Sequence, residues 1–561
     1  MAVNEDPSEH TQPSDLPPSV GDPQAPITDQ ERSDARNKEY QQIHDFGVKE
    51  EVLASSLSES ERSQALQTRW VEIRKRDLSV RCRLVVKGYD EDVSELSDCF
   101  AATPTLATLK LVISLAISRG YQIYTGDISV AFLHADVIQT IHVVPPSDYQ
   151  PSIQVPSGDS VLWKLLKALY GLKTAPKSWQ IHLIKVLTSD VGFKQSRADP
   201  CLFYLLSDGK AVIFLIVYVD DLFLTGPELK DLQEIISKIK KSVLLRDVGW
   251  LNEGQKLNYL GRDLYRSGLQ LVMSTPIQPV VSLIESYGLA SAKVMATTGT
   301  DATDRHQFQA DVKGSESQEP EAEPSVQVTS QDLASYRSAV GKLQWLTGTR
   351  PDIQFAVKEL AREVSNLQPS SIIKLKHLLR YLKGTLHYAL HFTQASETEG
   401  LTSELHVYCD ANWACCQNSR KSTSGYVIFY MGNVICSASK TQHSVALSSA
   451  ESELYAMCSA VTEAVHLSNL LSETCITQQT PKIHLYSDSQ SAIAINQRSG
   501  PGKKSKHIQI RYLFVQDMVQ NGAVVLHKVH TDNNCSDLQT KYIPTDKISK
   551  FTGMQMVSST E

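Results

Sequence analysis

The sequence predicts a mixed α/β protein built from several domains. The chain has 561 residues, which is too long for one ordinary domain. Hydrophobic residues make up 41% and charged residues 21%, so most of the chain can bury sizeable cores. Strand-like and helix-like patterns alternate along both halves of the sequence. Together these observations exclude a disordered acidic chain and favour consecutive α/β domains.

The first half alternates helices with strands. Residues 121–133 read as a strand followed by a turn of helix, and 211–226 read as two β-rich arms around Asp220 and Asp221, which predicts a hairpin. Apolar residues recur with helical spacing at 105–118, 178–193 and 229–243.

The second half begins as helix and returns to α/β. Residues 331–400 read as helical, and the helix at 371–384 is strongly basic on one face. Residues 401–545 show a strand, a two-stranded segment with a Gly-Asn turn, a long helix and a further strand. We expect two different α/β regions separated by helices.

The net charge of -7 hides an uneven distribution. Residues 1–37 carry eight acidic and two basic residues, and residues 301–330 carry seven and two, so we expect both segments to be disordered. The remainder is therefore mildly basic, near +4. Basic stretches at 236–242, 371–384 and 502–507 are each typical of a solvated lysine-rich face, but three together suit a channel that follows a nucleic-acid backbone.

The cysteines and the apolar runs indicate a soluble intracellular protein. The ten cysteines contain no CxxC pair, so neither a zinc ribbon nor a thioredoxin-type site is expected, and reduced thiols are the default. The N-terminus has no basic and apolar signal-peptide pattern. The apolar run Ala211–Val219 is about half of the ~20 residues that a membrane helix needs.

One group of carboxylates lies at predicted strand ends in the first half. Asp220 and Asp221 are either a hairpin turn or a metal site, because two adjacent like charges repel unless a cation lies between them. Asp127 ends another predicted strand. Three such carboxylates can hold two Mg²⁺ ions for in-line nucleotidyl transfer. Phe132, five residues further on, is either a core aromatic or a contact to the sugar of a nucleotide.

A second group of carboxylates lies in the last 160 residues. Asp410 and Asp488 follow predicted strands, Glu453 begins a helix, and Asp537 lies in a loop. Each one alone is as typical of a helix cap or a solvated strand end. Together, four carboxylates converging on two metal ions suit phosphodiester hydrolysis.

The motifs resemble those of the Ty1/copia retrotransposon Pol polyproteins, in the same order over about 470 residues. The polymerase-like segments are RCRLVVKGYDE (81–91), GDISVAFLHAD (126–136), WKLLKALYGLKTAPKSW (163–179), YVDD (218–221) and LNYLGRDL (257–264). Segments similar to the connection lie at 336–362 and 377–385. Segments similar to the ribonuclease H domain cover 403–545, including VALSSAESELYA and YSDSQSAIAI.

The resemblance implies a right-hand reverse transcriptase with palm, fingers and thumb, a helical connection and a ribonuclease H-like domain. It implies Asp127, Asp220 and Asp221 as polymerase metal ligands, with Phe132 as a steric gate against ribonucleotides and Arg83 as a triphosphate contact. It implies Asp410, Glu453, Asp488 and Asp537 as ribonuclease H ligands, and His507 as a substrate-side residue or a structural histidine. Glu451 is the alternative to Glu453, since an acid-any-acid pair occurs there.

The implied cofactor is Mg²⁺, two ions per active site, with Mn²⁺ as a substitute. The implied partners are an RNA template, a DNA primer, an RNA–DNA hybrid and dNTPs, without a membrane; the sequence does not fix the oligomeric state. The implied location is a cytoplasmic particle, the nucleus or both. The alternative to an enzyme is a catalytically inactive nucleic-acid-binding remnant, or a host-recruited module, of a truncated element.

We expect six segments. They are a disordered tail at 1–37, a reverse transcriptase at 38–300, a linker at 301–330, a connection at 331–400, a ribonuclease H domain at 401–545 and a tail at 546–561. The sequence departs from the family pattern at Gly126, Gln509 and Leu513, none of which is an expected ligand. Protease and integrase motifs are absent, so we expect the C-terminal part of a longer polyprotein or a truncated copy.

Overall fold

The computed structural model describes residues 25–75, 77–94, 99–300, 329–394, 404–416, 418–474, 480–500 and 508–559. The α-helices are α1 (Asp29–Asp45), α2 (Glu59–Ser63), α3 (Leu106–Ser118), α4 (Ala131–His134), α5 (Ala175–Lys185), α6 (Leu229–Ser242), α7 (Gln278–Ser286), α8 (Ser330–Leu346), α9 (Gln354–Arg362), α10 (Pro369–Gly384), α11 (Ser449–Glu473), α12 (Gln490–Asn496), α13 (Phe514–Gln520) and α14 (Thr545–Met554). Single 3-10 turns lie at Ala54–Ser56, Gly88–Asp90, Pro351–Ile353, Ile510–Leu513, Thr531–Asn533 and Cys535–Gln539, and a π turn at Val186–Val191.

The strands, in chain order, build four sheets. They are β1 (Lys49–Leu53), β2 (Leu66–Arg74), β3 (Val80–Val86), β4 (Gln122–Ile128), β5 (His142–Val144), β6 (Val161–Leu165), β7 (Lys194–Gln195), β8 (Leu202–Ser207), β9 (Lys210–Tyr218), β10 (Asp221–Gly226), β11 (Leu245–Trp250), β12 (Lys256–Tyr259), β13 (Arg262–Ser267), β14 (Gln270–Ser274), β15 (Tyr388–Thr393), β16 (Leu405–Asn412), β17 (Thr423–Tyr430), β18 (Asn433–Thr441), β19 (Ile483–Ser487), β20 (Val524–Lys528) and β21 (Val557–Ser559). The predicted mixed α/β class is confirmed.

The chain folds into two compact units. The first comprises the described residues up to 101 together with 129–186, and the second comprises 102–128 and the described residues from 187 onward. The first unit contains one sheet, with strand order β1-β6-β5-β2-β3. Helix α1 packs against β3 of this sheet and buries Ala35, Glu39 and Ile43.

Helix α1 shows that the disordered tail was predicted too long. The helix begins at Asp29, inside the segment 1–37, with a capping box between Thr28 and Glu31. The acidic composition missed it because its basic side chains find partners far along the chain. Arg32 Nε lies 2.9 Å from a carboxylate oxygen of Glu72, and Arg36 Nη2 lies 2.6 Å from the other. The part of the prediction at 1–24 lies outside the described residues.

The second unit contains three sheets. The palm sheet has the order β11-β4-β10-β9-β8-β7, and a second sheet has the order β12-β13-β14-β15-β21. The C-terminal sheet has the order β18-β17-β16-β19-β20, in which β16, β17 and β18 are antiparallel while β19 and β20 join in parallel. Parallel neighbours require crossover connections, which α11 to α13 supply.

Helix α3 of the palm packs against β18 of the C-terminal sheet. Its residues Ala107–Ile117 are all buried. Ser114 Oγ donates to the Tyr430 carbonyl at 3.3 Å and accepts from the Asn433 side chain at 3.0 Å. The palm and the C-terminal sheet therefore share one hydrophobic core.

Two segment predictions differ from the structure near the ends of the second unit. The expected C-terminal tail at 546–561 contributes most of α14 and strand β21, and Phe551 is fully buried. The helical connection also contains β15, which pairs with β14 and β21. Long-range strand pairing is invisible to local composition. The linker at 301–330 lies outside the described residues except for its last two positions, which cap and begin α8.

No helix in the described ranges combines the length and apolar character needed to cross a bilayer.

Candidate functional site

The first group of predicted carboxylates lies at one end of the central strands of the palm sheet. Asp127 is the last residue but one of β4, and Asp221 opens β10 directly opposite it in the antiparallel register. Asp220 lies in the turn that precedes β10, and its carbonyl accepts the Ile128 amide at 2.8 Å. The structure therefore brings the three residues to neighbouring backbone positions.

The hairpin turn is one residue earlier than the sequence suggested. Tyr218 pairs with Asp221, so the two turn residues are Val219 and Asp220, and Asp221 belongs to the strand. Val219 has a φ of 56°. A β-branched residue rarely adopts this left-handed conformation, which costs on the order of 1–3 kcal/mol. The fold holds a strained turn at the point where the carboxylates meet.

Arg246 compensates part of the negative charge of this group. It lies opposite Asp127 on β11, and its Nη2 is 3.0 Å from Asp127 Oδ2. Burial, followed by the charges of Asp220 and Asp127, raises the pKa of Asp221 to about 6, and Arg246 opposes this shift. The sequence analysis missed Arg246, because the pairing of β11 with β4 is a tertiary contact.

The departure at Gly126 has a steric reason. A Cβ atom at this position would lie 2.9 Å from the Tyr124 hydroxyl and 2.9 Å from Leu245 Cδ1. The Tyr124 hydroxyl donates to Asp247 on the adjacent strand β11. A larger residue at 126 would displace this tyrosine, so the side chains around this position leave room only for glycine.

The predicted substrate-side residues Phe132 and Arg83 both lie in the first unit and share the ring of Tyr170. Phe132, half-buried in α4, packs edge-on against Tyr170 with ring centroids 5.5 Å apart. The Arg83 guanidinium carbon lies 4.6 Å from the Tyr170 ring centroid, within cation–π range. Tyr170 thus supports both side chains, and the sequence analysis did not single it out.

The second group of carboxylates lies at one end of the C-terminal sheet. Asp410 is on the central strand β16, Asp488 directly follows the parallel strand β19, and Glu453 lies in the second turn of α11. Ligand atoms of these three side chains lie within 4.8 Å of one another, and no other such group occurs in the described residues. Asp537 lies in the 3-10 turn Cys535–Gln539.

Neighbouring polar groups orient these carboxylates. The Thr540 hydroxyl donates to Asp410, and the Thr531 hydroxyl donates to Asp488 at 2.8 Å. Lys541 Nζ lies 2.9 Å from Asp537 Oδ1 and 3.6 Å from Asp410 Oδ2. Lys541 therefore ties Asp537 to the other three, and only the folded chain reveals this lysine and the two threonines as part of the site.

The electrostatics of the second group reflect buried like charges. Burial, followed by Asp410 and Asp488, raises the pKa of Glu453 well above its usual range. Burial, followed by Asp410, raises the pKa of Asp537 to about 7, although Lys541 opposes this shift. Within the described residues, Glu453 Oε2 is buried without a hydrogen-bond partner. An ionised buried oxygen of this kind requires a cation or a donor.

Glu451, the alternative to Glu453, has a different role. It accepts the Leu447 amide at 2.9 Å and the Tyr455 hydroxyl in the first turn of α11. The structure brings Glu453 to Asp410 and Asp488 and leaves Glu451 as a capping residue.

The two carboxylate groups differ in how well they fit a divalent cation. Carboxylate oxygens are the ligands that Mg²⁺ prefers. The group Asp410, Glu453 and Asp488 fits, because its oxygens converge and Glu453 Oε2 is unpartnered in the described chain. The described palm carboxylates do not converge within the same 4.8 Å, and Arg246 pairs with one of them. The negative charges of Asp127 and Asp220 nevertheless help to raise the pKa of Asp221, and a cation placed among these carboxylates would reduce that repulsion.

The basic helix α10 is not a free phosphate track. Lys374 pairs with Glu363, and Arg380 and Lys383 donate to backbone carbonyls of the loop after α7. His377 is buried. Most of the predicted basic face therefore makes contacts within the fold, and its role toward nucleic acid stays a prediction. The stretch at 502–507, with the candidate His507, lies outside the described residues.

Comparison with known proteins gives matches to reverse transcriptases and to retrotransposon Pol polyproteins. Residues 55–298 match the family described as "Reverse transcriptase (RNA-dependent DNA polymerase)", and this range includes all the polymerase candidates. The chain is 28% identical, over 491 residues and 86% of its length, to the Retrovirus-related Pol polyprotein from transposon TNT 1-94 of Nicotiana tabacum. These matches support the resemblance to the Ty1/copia retrotransposon Pol proteins that the motifs indicated.

Other Pol polyproteins match over a similar part of the chain. Identity is 28% to the Retrovirus-related Pol polyprotein from transposon RE1 of Arabidopsis thaliana, over 84% of this chain. It is 23% to the Transposon Ty1-GR2 Gag-Pol polyprotein of Saccharomyces cerevisiae, over 92% of this chain. The matches cover 35%, 30% and 28% of these three relatives, so the chain spans about a third of their length.

Among solved structures, the foamy viral protease-reverse transcriptase dRH in complex with ds DNA superposes with a TM-score of 0.49 at 13% identity. The alignment covers 91% of this chain and 72% of that one.

Proposed function

We propose that this chain is an RNA-directed DNA polymerase joined to a ribonuclease H. The observation that supports the polymerase is the family match over 55–298, within which Asp127 and Asp221 face each other on adjacent strands. The observation that supports the nuclease is the convergence of Asp410, Glu453 and Asp488. The substrates are an RNA template, a DNA primer with dNTPs, and the resulting RNA–DNA hybrid.

In the polymerase site, Asp127, Asp220 and Asp221 would hold the cations, and the strained turn at Val219 fixes Asp220 relative to β4. Arg246 neutralises Asp127 until the site is loaded. In the first unit, Phe132 acts as the gate against a 2′-hydroxyl and Arg83 contacts the triphosphate, with Tyr170 supporting both side chains.

In the nuclease site, Asp410, Glu453 and Asp488 form the core of the ligand set, and Asp537 completes it. Thr540 and Thr531 hold Asp410 and Asp488 by donating to one carboxylate oxygen of each. Two Mg²⁺ ions bound at each site, with Mn²⁺ as a substitute, would activate the attacking oxygen and stabilise the leaving one. The 2′-hydroxyl of the RNA strand marks the strand that is cut.

Primer extension on an RNA template with Mg²⁺ tests the polymerase. We expect the wild type to extend the primer, Asp220→Asn to reduce extension by at least about 100-fold, and the exposed control Asp231→Asn to leave it unchanged. Failure of the folded wild type to extend, with retained binding of the primer–template, would instead indicate a nucleic-acid-binding remnant.

Cleavage of an RNA–DNA hybrid tests the nuclease in the same preparation. We expect the double variant Asp410→Asn and Asp488→Asn to lose cleavage while primer extension is retained. The exposed control Asp517→Asn should cleave normally. Cleavage that survives the double substitution would contradict the assignment of this site.

A further inference from the structure

A row of imidazole and phenol rings covers part of the C-terminal sheet on three adjacent strands. The rings belong to His406 and Tyr408 on β16, His484 and Tyr486 on β19, and His527 on β20. On β16 they alternate with Leu405, Val407 and Cys409, which are fully buried. Since β16 packs against α11, the rings occupy the other face of the sheet.

Two of these histidines approach closely through their ring nitrogens. His484 Nδ1 lies 2.8 Å from His527 Nε2. The other nitrogen of His484, Nε2, lies 2.8 Å from Glu404 Oε2. The ring of His406 stacks on His484 with centroids 5.2 Å apart and an interplanar angle of 18°. The proposed nuclease function uses none of these groups.

This arrangement has the form of a metal-binding histidine with its supporting carboxylate. A histidine that binds a metal commonly donates its second ring N–H to a carboxylate, which fixes the tautomer and strengthens the free nitrogen as a ligand. If His484 donates from Nε2 to Glu404, its Nδ1 carries a lone pair toward His527. Burial, more than the neighbouring charges, lowers the pKa of His527 and of His406, which favours the neutral form that metals require.

We propose that His484 and His527 form a second metal site, for a borderline transition-metal cation such as Zn²⁺ or Cu²⁺, with Glu404 as the supporting carboxylate. Two imidazole nitrogens at about 2.0–2.1 Å from a metal are roughly 2.9 Å apart at a right angle and roughly 3.4 Å apart at the tetrahedral angle. In the metal-free structure the two nitrogens lie 2.8 Å apart, within hydrogen-bond distance, and this separation is close to the first value.

The site is distinct from the carboxylate group on the same sheet. His406 precedes Asp410, and His484 precedes Asp488, by four residues, which is about 13 Å along a strand. Imidazole ligands also select a different class of ion from carboxylates, which prefer Mg²⁺. An ion bound by His484 and His527 would tie the edge strand β20 to β19.

Zn²⁺ titration of the metal-free full chain tests the proposal. The titration uses the Asp410→Asn, Asp488→Asn background, so that the nuclease carboxylates do not compete. We expect His484→Gln and His527→Gln each to bind one equivalent fewer than this parent, and Glu404→Gln to bind Zn²⁺ about tenfold more weakly. The exposed histidine control His443→Gln should match the parent. Cu²⁺ loaded at one equivalent should show two nitrogen ligands by electron paramagnetic resonance.

An equal Zn²⁺ stoichiometry and affinity in the parent, His484→Gln and Glu404→Gln would overturn the proposal. Glu404→Gln keeps both imidazoles, so it reports on the site even if a histidine variant folds poorly. The result does not depend on hybrid cleavage, because the parent of the series already lacks the nuclease carboxylates.

Discussion

Arg246 and Asp127 form an ion pair across two neighbouring strands of the palm sheet, with Arg246 Nη2 3.0 Å from Asp127 Oδ2. The arginine side chain is 69% exposed, so the pair is screened by solvent and contributes at most about 1 kcal/mol. It nevertheless competes with any cation for the same carboxylate oxygen. Binding of a cation at the proposed polymerase site would therefore displace this contact.

Replacement of Arg246 should ease cation binding. We expect Arg246→Gln to lower the half-saturating Mg²⁺ concentration for primer extension by roughly two- to fivefold, in proportion to the small energy of an exposed pair. The exposed lysine variant Lys241→Gln removes the same charge elsewhere and should change this concentration much less. An unchanged or increased Mg²⁺ requirement in Arg246→Gln would contradict competition between the two cations.

Without metal, replacing Glu453 with glutamine and replacing Glu451 with glutamine should change the free energy of unfolding in opposite directions. The folded state raises the pKa of Glu453, so ionisation at neutral pH opposes folding, and Glu453→Gln should raise the free energy of unfolding in EDTA by roughly 1 kcal/mol or more. Glu451 accepts the Leu447 amide and the Tyr455 hydroxyl, so Glu451→Gln should lower it by roughly 0.5–2 kcal/mol.

Denaturant unfolding of the two glutamine variants, with and without Mg²⁺, checks this pair. Added Mg²⁺ should stabilise the wild type and Glu451→Gln more than Glu453→Gln, because a ligand bound only to the folded state raises its stability. The same Mg²⁺ effect in both variants would remove Glu453 from the ligand set.

Lys110 should make stability depend on pH above neutrality. It is fully buried in α3, and burial lowers its pKa to about 8. Below this value the folded state must hold a buried charge that the unfolded state solvates, so the unfolded state binds the proton more tightly. The free energy of unfolding should therefore rise between about pH 8 and the model-compound value of 10.5.

The variant Lys110→Met keeps the length of the side chain and removes the charge. We expect it to be more stable than the wild type by roughly 2–4 kcal/mol at pH 7 and to lose the rise above pH 8. Urea unfolding at a series of pH values measures both effects, and the exposed Lys376→Met serves as the control. A destabilised Lys110→Met at every pH would show that the ammonium group is satisfied inside the core.

Substitution of Tyr170 should affect both the binding of dNTPs and the discrimination against ribonucleotides. Its ring contacts both Phe132 and Arg83. We expect Tyr170→Leu to raise the KM for dNTPs about two- to fivefold through loss of the cation–π contact, worth about 0.5–1 kcal/mol, and also to increase ribonucleotide incorporation.

Single-nucleotide incorporation kinetics with matched dNTP and rNTP substrates separate the two effects. Phe132→Ala should increase ribonucleotide incorporation with a smaller effect on the KM for dNTPs, whereas Arg83→Gln should do the reverse. If Tyr170→Leu has the wild-type KM for dNTPs and the wild-type level of ribonucleotide incorporation, the contacts of this ring contribute to neither property.

Several site residues were predictable because their signals are local. Asp127, Asp410 and Asp488 lie at or next to the ends of strands whose β-rich sequences are readable without a structure. The preference for Glu453 over Glu451 rested on motif order. The helix explains the difference between them, because two positions apart is about 200° of rotation, so only one of the two can face the sheet edge.

Other features depended on pairings that no local pattern contains. Arg246 contacts Asp127, which is far from it in the sequence. Lys541 and Thr540 likewise contact the distant Asp410, and only the contact of Lys541 with Asp537 is local. The basic residues of α10 were predicted to face nucleic acid. Their carbonyl and carboxylate partners lie in other segments, so the local sequence does not reveal these contacts. The disordered tail was predicted too long for the same reason. Helix α1 is stabilised by ion pairs with Glu72, which is distant in the sequence.

The α/β class, the order of the two carboxylate groups and the resemblance to the Pol polyproteins were readable from the sequence, because strand and helix periodicity and motif order are properties of neighbouring residues. The tertiary structure alone decided which charges meet. It placed Arg246 on Asp127 and Lys541 between Asp410 and Asp537, and it put His484 against His527. Coulomb and coordination forces act over a few ångströms in space, and strand register, which is set by long-range pairing, fixes those distances.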